Sequence, residues 1–355
     1  MTEVDISCLC GKFRSGVRLV DTIPTKSTIC YQSQCRHNLG ALCHSALPIE
    51  GRPEGVDLLK VYVVDNSLSR YFCDTCGSHV VEKNEGWKVQ SGAVERIHSE
   101  QVSSALEKIS GHQGVHETLD GGLSLCLTGG VLLGLSDTKS RMQMIKPSID
   151  DAGIRDASLS PFPNSTKDDR QQLWAGCACG GVQFYVTRPN EYSWQCSSPW
   201  PDLIVPYHSH SSDNPEDEKW WIRDSGKWLA GTCACRSCRL ALGSPIQAWA
   251  FVSRANIFNL DGSSLSYDTG TLQSFESSVG AKREFCGECG ATIFWHNKER
   301  PGVVDVSVGV LRAAEGSLAR DWLDWWTSRV SFSEHAFDKN LIQRLGASLD
   351  SLKSS

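Results

Sequence analysis

The sequence contains no block of lysine and arginine residues, and its formal net charge is −6. A nucleic-acid interface needs a basic face, so this composition argues against a nucleic-acid-binding protein. Long apolar runs are absent too. The most apolar stretch, residues 123–135, is too short to span a bilayer and contains three glycines. We therefore expect neither a membrane segment nor a nucleic-acid partner.

The amino terminus lacks the positive charge of a secretory signal peptide, since it carries Glu3 and Asp5, and no apolar segment follows. The chain has 16 cysteines, but with 355 residues it can bury a core without disulfide bonds. These cysteines occur mostly in C-x-C and C-x-x-C pairs, which are metal-ligand spacings in a reducing compartment. We expect a cytoplasmic protein with several metal sites.

Four sequence blocks occur twice, in the same order, which indicates a tandem duplication. The paired blocks begin at Cys8 and Cys177, at Cys35 and Cys238, at Phe72 and Phe285, and at Val89 and Val306. The predicted organisation is a first domain over residues 1–135, a polar linker over 136–172 and a second domain over 173–345. Two homologous halves in one chain predict an intramolecular pseudo-dimer; the sequence leaves the oligomeric state open.

The second half places three thiols within six residues, in the pattern C-x-C-x-x-C. Zinc prefers four ligands in a tetrahedron, so three thiolates leave one position open for water or a substrate, as in a catalytic site. The cysteine pairs on either side predict a closed structural site, and the first half repeats those pairs. We therefore expect three zinc ions: a catalytic one on Cys233, Cys235 and Cys238, and structural ones on Cys177, Cys179, Cys286 and Cys289 and on Cys8, Cys10, Cys73 and Cys76.

The first half departs from this pattern at Gln32, which stands where the second half has Cys235. Glutamine is a poor zinc ligand beside a thiolate, so the first half is predicted to have lost its reactive site while keeping its structural one. Cys30 and Cys35 remain, and whether they bind metal is open. Cys43 could serve as a third ligand, although a buried core cysteine is the simpler interpretation.

Short β-branched and aromatic segments separated by glycine, proline, asparagine and serine predict a mainly β fold. The C-x-x-C-G motifs fit tight turns between strands, with Gly77 and Gly290 supplying the permissive backbone. Few helices are expected. One is predicted near residues 317–328, and a C-terminal one over 333–349 with Ser333 as its N-cap.

The second half also carries an insertion. Cys179 and Cys233 are separated by 53 residues, against 19 between Cys10 and Cys30. The additional stretch, about residues 190–227, is rich in tryptophan and leads into the three-thiol loop, so it is predicted to cover or wall a pocket. His208 and His210 lie in it, but three cysteines already supply the ligands.

The order C-x-C-G, C-x-C-x-x-C-R and F-C-x-x-C-G resembles the glutathione-dependent formaldehyde-activating family, which includes centromere protein V. The resemblance implies two zinc-binding β-domains of the Mss4-like fold. It assigns the structural site to the flanking pairs and the reactive site to Cys233, Cys235 and Cys238. It also implies carbon–sulfur lyase chemistry that joins a carbonyl compound to glutathione as co-substrate.

Three functions stay open. In the first, a zinc-bound thiolate adds to a carbonyl carbon of a small-molecule substrate, or leaves in the reverse direction. Arg239 then steers a carboxylate or pairs with the anionic centre, or else it is only a surface arginine or part of a structural salt bridge. In the second, zinc acts as a Lewis acid in an isomerisation or ring opening without glutathione. In the third, the zinc sites only stabilise a binding or scaffold protein. Asp268, Glu276 and Glu284 are available as acids or bases, but the sequence assigns that role to none of them.

Overall fold

A computed structural model describes residues 2–98, 106–128, 171–209 and 211–353. The predicted linker over 136–172 lies outside these ranges, apart from its last two residues. Within the described ranges, no helix is long and apolar enough to cross a membrane.

The first half is built from short strands in small sheets. One sheet has the order β2-β1-β9, another has the order β4-β8-β7-β6-β5, and β3 pairs in parallel with β10. The strands are β1 (Thr2–Ser7), β2 (Arg14–Leu19), β3 (Thr25–Cys30), β4 (Ala46–Pro48), β5 (Lys60–Val63), β6 (Ser69–Phe72), β7 (His79–Lys83), β8 (Trp87–Gln90), β9 (Val94–His98) and β10 (Glu107–Gln113).

The second half contains a larger sheet with the order β13-β14-β15-β20-β19-β18-β17, and β21 pairs in parallel with β14. A smaller sheet has the order β11-β12-β16. The strands are β11 (Gln172–Gly176), β12 (Gln183–Thr187), β13 (Ile222–Arg223), β14 (Lys227–Cys233), β15 (Gln247–Ser253), β16 (Ile257–Asn259), β17 (Leu272–Ser278), β18 (Ala281–Cys286), β19 (Thr292–Asn297), β20 (Val303–Ser307) and β21 (Leu323–Trp325).

The described helices are few and short, which confirms the mainly β prediction. They are α1 (Ser33–Leu39), α2 (Ser124–Leu127), α3 (Arg236–Leu242) and α4 (Lys339–Ala347). The sequence did not predict α1 and α3, which begin two residues before the repeated blocks at Cys35 and Cys238, here called the cysteine–arginine blocks. Each ends at a glycine with positive φ, Gly40 at 82° and Gly243 at 74°. Glycine adopts this conformation without a steric penalty, so it can close a helix there.

The helix predicted over residues 317–328 is wrong. The segment turns at Ala319, which has a φ of 48°, and then forms β21. Trp322 and Trp325 are spaced like one face of a helix, yet both are buried, Trp322 just before β21 and Trp325 at its end, where it pairs with Ala230 of β14. The spacing therefore reflects burial on the sheet.

The C-terminal helix exists but begins later than predicted. Ser333 opens only a short 3-10 turn, and the α-helix is capped by Asp338, which accepts a hydrogen bond from the N–H of Leu341 at 2.9 Å. The other carboxylate oxygen of Asp338 accepts the backbone N–H groups of Leu106 and Glu107 in the first half, at 2.7 and 3.1 Å. This second role explains why the cap lies at Asp338, since one carboxylate satisfies donors of both halves.

The halves contact each other through two equivalent glycine pairs. Gly92 packs against the backbone of Gly243, and Gly309 packs against the backbone of Gly40; a Cβ at Gly92 or Gly309 would lie 2.4 or 2.3 Å from its neighbour. The N–H of Gly92 also donates to the carbonyl oxygen of Gly243 at 3.0 Å. Each helix of the cysteine–arginine blocks is thus seated against the opposite half.

The main hydrophobic core belongs to both halves. Tyr31 and Leu125 of the first half share one buried cluster with Trp228 and Phe294 of the second half and with Leu345 of α4. A second cluster is formed largely by the first half, around Val4, Phe13 and Val81. The second-half site described below is therefore supported by residues from the whole chain.

Candidate metal centres and active-site cavity

Two clusters of four thiols lie at equivalent places in the two halves. Within each cluster the sulfur atoms lie within 4.8 Å of one another, as expected of a tetrahedral zinc site. The clusters are Cys8, Cys10, Cys73 and Cys76, and Cys177, Cys179, Cys286 and Cys289.

The backbone explains how each cluster is built. The C-x-x-C pairs form tight turns at the ends of β6 and β18, closed by Gly77 and Gly290 with φ values of 73° and 76°. A backbone N–H group donates to the first sulfur of each cluster. The N–H of Phe13 donates to Cys8 and the N–H of Val182 donates to Cys177, both at 3.3 Å. Hydrogen bonds from the neighbouring cysteines lower the pKa of the Cys8 thiol to about 4. Zinc binds cysteine as the thiolate, so the lowered pKa of Cys8 suits a metal ligand.

The third cluster consists of Cys233, Cys235 and Cys238, whose sulfurs also lie within 4.8 Å of one another. Cys233 ends β14, Cys235 caps α3, and Cys238 lies in the first turn of that helix. The N–H of Cys238 donates to the sulfur of Cys235 at 3.3 Å. Hydrogen bonds from Cys233 and Cys235, together with a nearby guanidinium, hold the pKa of Cys238 well below its usual value.

That guanidinium belongs to Arg283, which sequence reasoning missed. Arg283 is buried at 4% exposure and donates to the sulfur of Cys238 at 3.4 Å. The equivalent Arg70 donates to Cys35 at 3.0 Å. A sequence signal existed: an arginine stands two residues before each F-C-x-x-C-G motif, so the repeated block begins earlier than we assumed.

The partners of these two arginines differ between the halves. In the first half Arg70 lies opposite Glu82 on the paired strand, with its Nε 3.5 Å from the carboxylate. In the second half Trp295 occupies the position opposite Arg283. Among the described residues, no carboxylate forms a salt bridge with Arg283. Its charge is compensated instead by the sulfur atoms.

The donor set fits zinc. Three soft sulfur ligands on one side match the metal's preference, and a zinc dication on three thiolates would carry one net negative charge beside Arg283. A buried arginine without a carboxylate is costly unless such an anion is present. Cys233, Cys235 and Cys238 would hold the ion, and the ion would supply Lewis-acid chemistry to a substrate atom.

The equivalent position in the first half has a different environment. Gln32 replaces the middle thiol, and the sulfurs of Cys30 and Cys35 lie 3.0 Å apart. Gly114 closes over Gln32, since a Cβ there would lie 2.3 Å from the glutamine side chain. Cys43 lies in the core and belongs to no cluster of three or more ligands within the described ranges. The loss of the first reactive site stays a prediction.

A cavity of about 540 Å³ opens directly above the three thiols of the second half. One wall comes from the large sheet, through Trp249, Phe251 and Trp295. The opposite wall comes from the insertion and from the segment after β21, through Trp200 and Phe332. The thiols therefore lie at the floor of an aromatic-lined cleft rather than flush with the surface.

The insertion is held on the cavity by one carboxylate. Asp202 accepts hydrogen bonds from the guanidinium of Arg329 at 3.1 Å, from the hydroxyl of Ser331 at 2.8 Å and from the N–H of Phe332 at 2.8 Å. Its other oxygen accepts the N–H of Tyr207 at 2.7 Å. The tryptophans of the insertion differ in burial: Trp220 and Trp221 are buried in the core, whereas Trp194 is exposed.

Of the two histidines in the insertion, the structure describes His208, which is not part of the three-thiol cluster. His208 is largely exposed and lies 3.5 Å from Glu334. His210 lies outside the described residues.

Arg239 does not occupy the predicted place in the reactive site. Its guanidinium points toward the first half, where it donates to the carbonyl oxygens of Gly92 and Val94 and lies 3.3 Å from Glu95. Burial lowers its pKa to about 10. The α3 helix directs consecutive side chains to different faces, so the residue after Cys238 turns away from the cavity. Arg239 is an anchor between the halves.

The three acids considered from the sequence also lie away from the cavity lining. Asp268 and Glu276 are exposed, and the buried Glu284 is hydrogen-bonded to His296 at 2.8 Å and to Ser274 at 2.9 Å. A different carboxylate, Asp305 on β20, lines the cavity. Asp305 directly precedes the repeated block at Val306, but only the strand register places it in the cavity wall.

The comparisons agree with this architecture. The model of a family described as glutathione-dependent formaldehyde-activating enzyme matches residues 3–106 and 224–329, together more than half of the chain. The chain belongs to this family, and the two matched segments confirm the tandem arrangement. Cys177, Cys179 and almost all of the insertion precede the second matched segment. No curated protein and no solved structure matches the chain.

Proposed function

We propose that this protein is a zinc-dependent carbon–sulfur lyase that forms or cleaves the adduct of a thiol, glutathione, with a small carbonyl compound. The reaction centre is the cluster of Cys233, Cys235 and Cys238. Free cysteine pairs placed as metal ligands suit a reducing compartment, so we propose that it acts in the cytoplasm.

The observation that carries the proposal is the position of the three thiols at the floor of the aromatic-lined cavity. A purely structural zinc would have four protein ligands and no reason to face a cavity. The other two clusters have that closed form, with four thiols each. The three-thiol cluster is thus the one suited to binding a substrate atom.

Zinc bound there would keep a thiol in its thiolate form at neutral pH. The chain's own residues supply the surroundings. Arg283 compensates the negative charge of the sulfurs, and Trp249, Phe251 and Trp295 exclude water from one side. Electrostatic interactions are stronger in such a site than in water.

The size of the cavity supports a carbonyl substrate larger than formaldehyde. A volume of about 540 Å³ lies in the range of sites for drug-sized molecules. Aromatic walls such as Trp200 and Phe332 add contact area for an apolar or aromatic group. We therefore propose a bulkier carbonyl compound as the second substrate.

The same cavity also supports the second candidate, a Lewis-acid isomerisation or ring opening without glutathione, because an apolar cleft over an open metal position suits that chemistry as well. The two candidates differ in their need for a thiol. A product that forms only in the presence of glutathione supports the lyase, and turnover without any thiol supports the isomerase.

The first test is zinc per chain in the wild type, in Cys235→Ser and in the control Cys196→Ser, whose cysteine lies in the insertion outside all clusters. We expect three zinc ions in the wild type and the control, and two in Cys235→Ser with the fold retained. Exchange NMR with glutathione and a panel of carbon-13-labelled aldehydes, which includes formaldehyde and bulkier aromatic aldehydes, should then show adduct exchange with at least one aldehyde in the wild type and the control only. Two zinc ions in all three proteins would contradict the proposal.

A further inference from the structure

Asp305 is placed by strand register in the wall of the cavity. It lies opposite Phe251 on β15 and opposite Trp295 on β19. Directly paired residues of antiparallel strands point to the same face of a sheet, and all three line the cavity. The carboxylate is therefore held between two aromatic side chains, on the same cavity wall as Arg283.

One oxygen of this carboxylate is fixed and the other is available. Arg300 donates to Oδ1 at 2.6 Å, and its guanidinium lies 4.7 Å from the ring centre of Trp295. Among the described residues, no hydrogen bond reaches Oδ2. Asp305 is only 6% exposed, so its free oxygen can meet a substrate in the cavity but little bulk water.

The other carboxylates near the cavity are committed elsewhere or exposed. Asp202 is saturated by Arg329, Ser331 and Phe332. Glu299 is exposed at the rim. Among the described residues that line the cavity, Asp305 is thus the buried carboxylate with one oxygen that accepts no hydrogen bond.

The first half offers an internal comparison. The repeated blocks place Lys88 where the second half has Asp305, and Lys88 lies opposite Glu82, as Asp305 lies opposite Trp295. The half that has Gln32 in place of the middle thiol therefore also has a lysine in place of the carboxylate. The thiol and the carboxylate occur together in one half and are both replaced in the other.

We propose that Asp305 is the proton-transfer residue of the second-half site, an inference that rests on the proposed function. In the forward direction its carboxylate takes the proton of the incoming thiol. The sulfur then forms a bond to the carbonyl carbon, the C=O π electrons move to oxygen, and Asp305 returns the proton to that oxygen. The product is the hydroxyalkyl thioether, so atoms and charges balance without a further reagent; cleavage is the reverse.

The electrostatic environment supports this role. Burial raises the pKa of Asp305 to about 6, even though Arg300 favours the charged form. A group with a pKa near the working pH can both accept and donate a proton. The charged groups around it are Arg300, Arg283 and the Cys238 sulfur, with Lys298 and Glu299 at the rim. No histidine belongs to the cavity lining within the described ranges.

The test compares the wild type with Asp305→Asn and with the matched control Asp268→Asn, an exposed aspartate away from the cavity. We expect Asp305→Asn to slow adduct exchange by about 100-fold or more, the usual range for loss of a general acid–base group. The zinc content and the circular dichroism spectrum of Asp305→Asn should match those of the wild type. Its affinity for glutathione, measured by tryptophan fluorescence, should match as well. Asp268→Asn should exchange at the wild-type rate.

The pH profile of the wild type provides a second measurement that needs no variant. The carboxylate is the form that accepts the thiol proton, so exchange should fall as pH drops through about 6 while three zinc ions remain bound. A wild type that exchanges with no such inflection, or an Asp305→Asn variant that folds and exchanges within about threefold of it, would overturn the role of Asp305 alone. A zinc-loaded wild type without any exchange would overturn the proposed function, and this inference with it.

Discussion

The guanidinium of Arg283 donates to the sulfur of Cys238 at 3.4 Å, and among the described residues no carboxylate forms a salt bridge with it. In the first half the equivalent Arg70 has Glu82 beside it. Both arginines donate to a thiol, but only Arg70 also has a carboxylate within salt-bridge distance, so the thiols face Arg283 without that carboxylate. This difference indicates that Arg283 and the metal depend on each other.

We predict that Arg283→Met lowers zinc affinity at the three-thiol site by about 10- to 100-fold, the usual effect of removing a group that orients or balances metal ligands. The two four-thiol sites should keep their metal. Competition with a chromophoric chelator would show one weakened site of three. Arg283→Lys, which keeps the positive charge, should recover much of the affinity, and equal affinity in Arg283→Met and wild type would contradict the prediction.

The approach of Gly92 to Gly243 leads to a second prediction. A Cβ at residue 92 would lie 2.4 Å from the opposite backbone, so Gly92→Ala must push the halves apart. We expect a loss of about 1–3 kcal/mol in the free energy of unfolding, as for other overpacking substitutions. Gly86 has open space around it, so Gly86→Ala is the matched control and should leave the denaturation midpoint nearly unchanged.

Parts of the site that depend on residues close together in the sequence could be predicted, whereas parts that depend on residues far apart in the sequence could not. The cysteine clusters could be predicted because C-x-C and C-x-x-C spacings are local and zinc restricts their geometry. The repeat marks Arg283 as a shared residue, but the sequence could not place Arg283 or Asp305 in the cavity, because both reach it through the register of β18, β19 and β20, which is set by pairing across the sheet. The tandem arrangement could be predicted as well, because the repeated motifs are short local patterns that occur in the same order in both halves.

The errors have a common physical cause. The helix expected over 317–328 is replaced by a turn at Ala319 and by β21, whose pairing with β14 overrides the local pattern. Arg239 was placed by adjacency to Cys238, although neighbouring residues of a helix face different directions. In both places the local pattern was real, but the partner lay elsewhere in the chain.

A third prediction concerns the insertion. Asp202 accepts from Arg329, Ser331 and Phe332, so Asp202→Ala removes the bonds that hold the insertion against the segment after β21. We expect faster limited proteolysis within residues 190–227 and a higher KM for a bulky carbonyl substrate, with zinc content unchanged. Asp213→Ala, an exposed aspartate of the same insertion, should behave like the wild type. Equal proteolysis rates in the two variants would mean that other contacts hold the insertion.

The last prediction concerns acid stability and His79. This histidine is fully buried between the halves, and burial lowers its pKa to about 3. In the unfolded chain a histidine has a pKa of about 6.5, so below that value the unfolded state binds a proton that the folded state does not. Its contribution to stability is therefore fully present above about pH 6.5 and is lost as the pH falls toward 3. Between pH 6.5 and pH 5 the expected loss is roughly 2 kcal/mol from this residue alone.

His79→Gln should flatten this part of the stability curve, because glutamine does not titrate, even if the variant is less stable at pH 7. Urea denaturation at pH 7, 6 and 5 with saturating zinc would measure the slope. His98→Gln, at a histidine with a largely accessible side chain, is the control and should keep the wild-type slope. If His79→Gln and the wild type lose the same free energy between pH 7 and pH 5, the acid sensitivity belongs to other groups, such as the thiolates of the metal clusters.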